Sequence, residues 1–381
     1  MVISIKDGLK LFGIMIVAFC AVFVCTFFLN FYLDAIAIKD AVTEAQQPLY
    51  DAQLATAKLV CAISGCFLAL IAVVMTVFYV KLFVDGHMRQ LGILKAMGWA
   101  SGKIALRFWV FGLSVLIGAG LGYGAGQIAM PYIYDSLTID TLIIDIHFYP
   151  SLLVLLVFVP TVIYSLLACG YAYFALRRPT SDMLKGRIDR KPKRHKEKPA
   201  RAGKERPFLV ESCFKTLSSK KLLTFFVAFA CFCFSSMVQM GASMWQLSTE
   251  VMGAMILCIG IVLAVTTMFM AVTSLVKSNI KTVSMMKVFG YSVKECTLSV
   301  FGGFVPFAFL GFAVGTGYQF GLLSLMVNIV YKDINAMPEY NFNVPVLFIT
   351  LACFIALYCA LMVAYSFKLN KISVKEVMLE N

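Results

Sequence analysis

Leu11-Phe-Gly-Ile-Met-Ile-Val-Ala-Phe-Cys-Ala-Val-Phe-Val-Cys-Thr-Phe-Phe-Leu-Asn-Phe-Tyr-Leu33 runs for 23 residues without an acid or a base. A helix needs about 20 apolar residues to cross the hydrocarbon of a bilayer. Within that hydrocarbon only helices and closed barrels satisfy their own amides, and the stretch has none of the period-two alternation of a barrel strand. It therefore reads as a transmembrane helix. Seven further runs without Asp, Glu, Lys or Arg follow: Leu59–Val80, Phe108–Tyr134, Ile146–Leu176, Leu222–Thr249, Val251–Val276, Cys296–Tyr331 and Tyr340–Phe367. The fold class they predict is an all-α integral membrane protein with eight transmembrane helices. Composition agrees: 61% of residues are hydrophobic and 14% charged, against about 25% charged in a soluble domain.

Basic residues orient the spans. With Met1 in the cytoplasm, the segments 1–10, 81–107, 177–221, 277–295 and 368–381 face the cytosol and hold 30 of the 33 Lys and Arg. The outside segments keep only Lys39, Lys58 and Lys332, beside ten acids that include Asp34, Asp40, Glu44 and Asp51. Both termini are thus expected in the cytoplasm of a multi-pass plasma-membrane protein. The net charge of +13 is a topology signal, and no nucleic-acid partner is inferred from it. The N-terminal run is too long for a cleaved signal peptide, and no small-x-small site follows it. Ten of the twelve cysteines fall inside spans and none in an outside loop, so no structural disulfide is expected.

A shift of 192 residues lays Arg89-Gln-Leu-Gly-Ile-Leu-Lys-Ala-Met-Gly-Trp99 on Lys281-Thr-Val-Ser-Met-Met-Lys-Val-Phe-Gly-Tyr291. Arg89 meets Lys281, Lys95 meets Lys287, Gly98 meets Gly290 and Trp99 meets Tyr291. One residue further into register, Gly118, Gly122 and Gly124 fall on Gly311, Gly315 and Gly317. Each match lies in the cytoplasmic loop after a second span and in the span that follows. Two four-helix repeats result, and an even number of spans makes them parallel. The first repeat covers residues 1–186 and the second 207–381. Between them, 187–206 is a basic cytoplasmic linker too poor in apolar residues to fold alone, suited to a tether that touches anionic headgroups.

No enzyme chemistry stands out. Gly98-Trp-Ala-Ser-Gly102-Lys103-Ile104 has one residue too few between its glycines for a phosphate loop, and it lacks the hydroxyl residue that would hold magnesium. The glycines Gly118, Gly122 and Gly126, with Gly311 and Gly315, recur every fourth position inside spans, where small residues let helices approach closely. His87, His147 and His195 form no ligand cluster and no metal site is expected, although His147, between Asp145 and Tyr149, is a candidate for an outside cation site. Apart from His147, the runs carry none of the ionisable residues that proton- or ion-coupled transporters use. Pro160 and Pro306 are expected mid-span kinks.

The repeated loops are the conspicuous feature. Met88, Leu91, Leu94 and Met97 recur every three residues, as do Ile280, Val283, Met286 and Phe289, with Arg89, Lys95, Lys281 and Lys287 interspersed. Each reads as a short amphipathic helix at the membrane surface. Such a helix can lie among lipid headgroups, but duplication of the loop favours docking to something that itself comes in two copies.

Arg89-Gln-Leu-Gly-Ile-Leu-Lys-Ala-Met-Gly98 resembles the cytoplasmic signature of FtsX-like permeases, the membrane subunits of MacB/LolCDE-type ABC systems. Lys287-Val-Phe-Gly-Tyr291 looks like a weaker copy. Arg178-Pro-Thr-Ser-Asp-Met-Leu-Lys-Gly186 and Ile372-Ser-Val-Lys-Glu-Val-Met378 are similar to the segments that close a permease repeat, and Phe214–Thr224 to the basic lead-in to its first span. The resemblance implies that Arg89–Gly98 and Lys281–Gly290 are coupling helices seated in clefts of a separate ABC ATPase, two copies of which are expected. ATP and magnesium would then belong to that partner, with no cofactor on this chain. Export of a peptide, antibiotic or other amphipathic molecule is the implied activity. The alternative is a transducer that relays ATPase state to an extracellular enzyme or sensor, which leaves room for an extracellular accessory protein. Family members usually carry a large outside domain between the first two spans of a repeat, whereas here that loop is only Asp34–Lys58.

Overall fold

The computed structural model describes residues 8–39, 42, 44, 47–137, 146–184, 217, 220–247, 250–325 and 342–371. The linker 187–206, the segment Ile372–Met378 and the acids Asp140, Asp145 and Asp333 lie outside the described residues. Among the described residues every regular element is helical, and eight helices are long and apolar enough to cross a membrane. Four belong to each repeat. The chain divides into two compact units, one built on residues 1–193 and the other on 194–248, 253–326 and 340–381.

In the first unit α1 (Gly8–Ala37) and α2 (Gln47–Gly86) are the first two spans. The chain then folds into α3 (Met88–Ala96) and α4 (Ser101–Leu106), passes a 3-10 turn at Arg107–Trp109 and enters the third span as α5 (Val110–Leu137). The fourth span is composite: α6 (Pro150–Leu153), a π turn at Val154–Phe158 and α7 (Val159–Leu176), after which α8 (Thr180–Leu184) closes the repeat. In the second unit α9 (Lys221–Leu247) and α10 (Glu250–Val288) are followed by α11 (Val293–Phe301), a 3-10 turn at Gly302–Phe304, α12 (Val305–Leu325) and α13 (Val344–Lys371).

Three expectations are corrected here. The Asp34–Lys58 loop is largely helical, since α1 carries Asp34 to its last turn and α2 starts at Gln47. A helix satisfies its own amides, so nothing obliges it to stop where the hydrocarbon does. The second cytoplasmic loop is not a separate helix: Ile280 to Val288 are the last turns of α10. Pro306 does not kink a regular helix either, because it is the second residue of α12, just past the 3-10 turn. The first repeat also has a 3-10 turn before its third span, at Arg107–Trp109, with no proline after it, so such a turn does not require Pro306. Pro160 follows the π turn as the second residue of α7, where its missing N–H and its ring are accommodated by the widened turn.

Within each unit the first and third spans cross at glycines. A Cβ at Gly118 or Gly122 would overlap the carbonyl oxygens of Met15 and Phe19. In the second unit a Cβ at Gly311 would overlap that of Ala228, and one at Gly315 would lie 2.6 Å from that of Phe232. Gly126 packs more loosely, its notional Cβ 3.2 Å from the Thr26 side chain, and the matched pair Gly124 and Gly317 face open space. Phe27 and Phe31 fill the crossing beside Tyr134, edge to face at 6.0 and 5.5 Å. The fourth spans are peripheral: 22% and 17% of their most apolar stretches are buried, against 56% and 67% for the first spans. Phe158, Leu166 and Phe174 on one, and Phe348, Ile349 and Val363 on the other, offer lipid the apolar surface it requires.

Candidate functional site

The repeated loops share one backbone. Gly98 has φ +88° and Gly290 φ +87°, the positive values reported for glycines among the described residues. At the end of α3 the Gly98 amide donates to Lys95 O at 3.1 Å and the Trp99 amide to Leu94 O at 3.3 Å. At the end of α10 the Gly290 amide donates to Lys287 O at 3.0 Å and the Tyr291 amide to Met286 O at 3.1 Å. Both are Schellman motifs, in which a left-handed residue after the helix lets two amides return to its last carbonyls. A short helix then begins at the same place in each repeat, with Ala100 as N-cap in one and Ser292 in the other. Only Ser292 builds a capping box, its hydroxyl accepting from the Glu295 amide while the Glu295 carboxylate accepts from the Ser292 amide.

No atom lies within 4 Å of a Cβ at either glycine, so a substitution there meets backbone strain alone. Gly98→Ala and Gly290→Ala are each expected to cost about 1–2 kcal/mol, read as a lowered melting temperature in detergent. Gly86→Ala, inside α2 and equally uncrowded, is the control and should not lower it.

Burial repeats along with the backbone. Leu91 is 0% exposed and its counterpart Val283 2%, whereas Ile93 and Met285 are 46% and 51% exposed and Met97 and Phe289 63% and 78%. Met88 and Met286 are buried, while Leu94 and Ile280 are half-buried. The three-residue apolar recurrence therefore marks the inward face at Met88, Leu91 and Leu94, and at Val283 and Met286. Met97 and Phe289, the last residues of each recurrence, point outward instead, together with Ile93 and Trp99 in the first repeat and Met285 and Val288 in the second. Of the sequence-predicted residues, Arg89, Met97, Gly98, Phe289 and Gly290 are exposed. The side chain of Lys281 lies outside the described residues.

Lys95 reaches inward. Its Nζ donates to Leu176 O at 2.9 Å and Arg178 O at 2.8 Å, a cation on the C-terminal carbonyls of the fourth span, where the helix dipole favours it. Gly92 packs on α8, a notional Cβ lying 3.0 Å from Met183 Cβ, and Met183 is fully buried. Arg178 pairs with Asp85 at 3.8 Å. The closing segment Arg178–Leu184 thus clamps α3 from behind and leaves its other face open. Below that face is a small apolar cavity of about 20 Å³, lined by Phe83, Leu91, Leu94, Trp99, Ile104, Arg107 and Phe108. The Arg107 guanidinium covers it, 5.0 Å over the Trp99 ring. In the second repeat Lys220, at the foot of α9, donates to Ser278 O and, at 2.8 Å, to Asn279 Oδ1. Burial pushes its ammonium down to about 8.

A family model described as FtsX-like permease C-terminal matches the chain twice, over residues 62–180 and 254–374. The chain belongs to the FtsX-like permease family. The two matches begin 192 residues apart, at 62 and 254, the spacing of the internal repeat. Each takes in the last three spans of a repeat and the Schellman turn, and leaves out α1 and α9. No curated protein and no solved structure matches the permease. Family and helices together make it a multi-pass membrane permease of the ABC-transporter type.

One buried site escaped the sequence reading. Asp34, counted there as an outside acid, is 1% exposed. Its Oδ2 accepts from Asn30 Nδ2 at 3.1 Å and Tyr134 OH at 3.0 Å, and its Oδ1 from Tyr149 OH at 3.0 Å. His147 Nδ1 stands 3.5 Å from Oδ1. Burial and the adjoining carboxylate push the Tyr149 phenol up, which keeps it a donor. His147 thus belongs to a cluster around Asp34; Asp145, its expected neighbour in a cation site, lies outside the described residues.

Proposed function

We propose that this permease couples ATP hydrolysis on a separate, soluble ABC ATPase to export of a peptide, antibiotic or other amphipathic molecule. The observation that carries the reading is the pair of Schellman-capped turns, alike in backbone and in which apolar side chains they expose. A protein surface that leaves Met97 and Phe289 uncovered beside basic residues suits a partner with an apolar cleft. Two such faces on one chain suit two ATPase copies, so one permease takes the place of a permease dimer. The concentration of basic residues in the same segments supports placing both faces, and both termini, in the cytoplasm. ATP and magnesium stay with the ATPase.

Native mass spectrometry of the purified complex is expected to give one permease with two ATPase subunits. Two permeases with two ATPases would overturn the reading that a single chain supplies both docking faces. Hydrolysis stimulated by an amphipathic peptide in nanodiscs supports export. Hydrolysis indifferent to any such peptide, yet altered by an extracellular protein, would assign the permease to signal relay instead.

A further inference from the structure

Asp34 is the acid that the described part of the permease buries completely, and three of its hydrogen-bond partners are neutral side chains. A carboxylate has room for about four hydrogen bonds. Three neutral donors, Asn30, Tyr134 and Tyr149, take three of these places. They offset the loss of water, and a buried carboxylate gains further from a cation beside it. Among the described residues no lysine or arginine lies within 4.0 Å of it. The remaining place, on Oδ1, faces His147, whose side chain is 60% exposed. The Asn30 Oδ1 is buried with no hydrogen-bond partner, while its Nδ2 donates to Asp34 Oδ2 and to the His147 carbonyl oxygen, each at 3.1 Å. Flanking His147, Ile146 and Phe148 are 41% and 61% exposed. In the second unit α9 and α12 meet instead through neutral groups, Gln319 Nε2 donating to Ser243 Oγ at 2.9 Å.

We propose that Asp34 is the recognition site for the basic group of an amphipathic ligand, an alkylammonium or guanidinium, and that the His147 imidazole covers it when no ligand is bound. The ligand displaces the imidazole, sets its cation on Oδ1, and lays its apolar part on Ile146 and Phe148. The inference rests on the export reading and on the orientation that puts this end of the bundle outside. It narrows the substrate class to cationic amphipaths.

The test is calorimetric, on the full-length permease without ATPase, in nanodiscs of zwitterionic lipid. The probe is a synthetic leucine–lysine peptide, alongside the same peptide with every lysine acetylated. Wild type should bind the first and not the second. Asp34→Asn should weaken binding at least about tenfold, the scale of a lost hydrogen bond to a charged group. His147→Ala should tighten it, since a competitor is gone, and His147→Lys should abolish it by supplying a permanent cation at an exposed position that does not threaten folding. Equal affinity for Asp34→Asn and wild type would overturn the proposal. Loss of binding in His147→Ala would do the same, because His147 would then be part of the site and not its cover. Competition by sodium chloride beyond that of choline chloride would reassign the site to an inorganic cation. Since no ATPase is present, Asp34-dependent binding stands even if the ATPase pairing fails, and its loss leaves that pairing untouched.

Discussion

Met97→Asp and Phe289→Asp are each expected to strip the ATPase from the purified complex and abolish peptide-stimulated hydrolysis, with membrane insertion intact. These side chains are 63% and 78% exposed, so the free permease loses little when either is replaced. A partner that covers them must bury a carboxylate where it had met a thioether or a ring. An anchor lost from a desolvated pocket costs about 2 kcal/mol or more, roughly 30-fold in affinity, and an unpaired buried charge adds to that. Leu91→Asp and Val283→Asp, at 0% and 2% exposure, are the contrast: they place the charge inside their own repeat and should lower expression and melting temperature before any question of docking arises. A lipid-anchoring role for the exposed face predicts that Met97→Asp and Phe289→Asp keep their ATPase and its turnover. Full retention by both would remove the docking assignment.

That contrast also marks where reading residues without coordinates fails. Long apolar runs identify spans because the solvent allows little else, and the eight runs of the sequence correspond to eight helices. The Gly98 and Gly290 turns were visible as a repeat because a left-handed position tolerates few residues besides glycine. The facing of the two repeated segments was not. In a soluble protein the apolar stripe of a helix points to the core and its polar side to water, but here Leu91 and Met97 are both apolar and only one is buried. An i, i+3 recurrence names a face without saying whether its own protein or another covers it. Asp34 was missed for a different reason. Its burial depends on Tyr134, His147 and Tyr149, about a hundred residues away, and no local pattern encodes an encounter at that separation. The break between α2 and α3 was equally hidden, since Lys81–Leu91 and the corresponding turns of α10 look alike in apolar spacing. One repeat turns at His87 while the other continues as helix.

Gly118→Ala and Gly311→Ala are expected to destabilise their repeats by about 3 kcal/mol, the upper end of the cost of overpacking, seen as loss of folded protein and a lower melting temperature in detergent. Intrinsic preference points the other way, because alanine favours a helix over glycine by about 1 kcal/mol. The sign therefore reports on packing alone. At both positions the added Cβ meets a backbone carbonyl oxygen, of Met15 in one repeat and Ala228 in the other, and a carbonyl inside a helix cannot rotate aside as a side chain would. Relief requires the first and third spans to separate along their whole crossing. That separation would draw Phe27 and Phe31 away from Tyr134 in the first repeat, and with Tyr134 one of the donors that hold Asp34. Gly118→Ala should accordingly disturb the Asp34 cluster, whereas Gly311→Ala should spare it. Gly124→Ala and Gly317→Ala, where the new methyl faces open space, should be neutral or slightly stabilising. If Gly118→Ala proves as stable as Gly124→Ala, the two helices do not cross at that glycine, and the shared geometry of the two repeats would have to be rebuilt from a different contact.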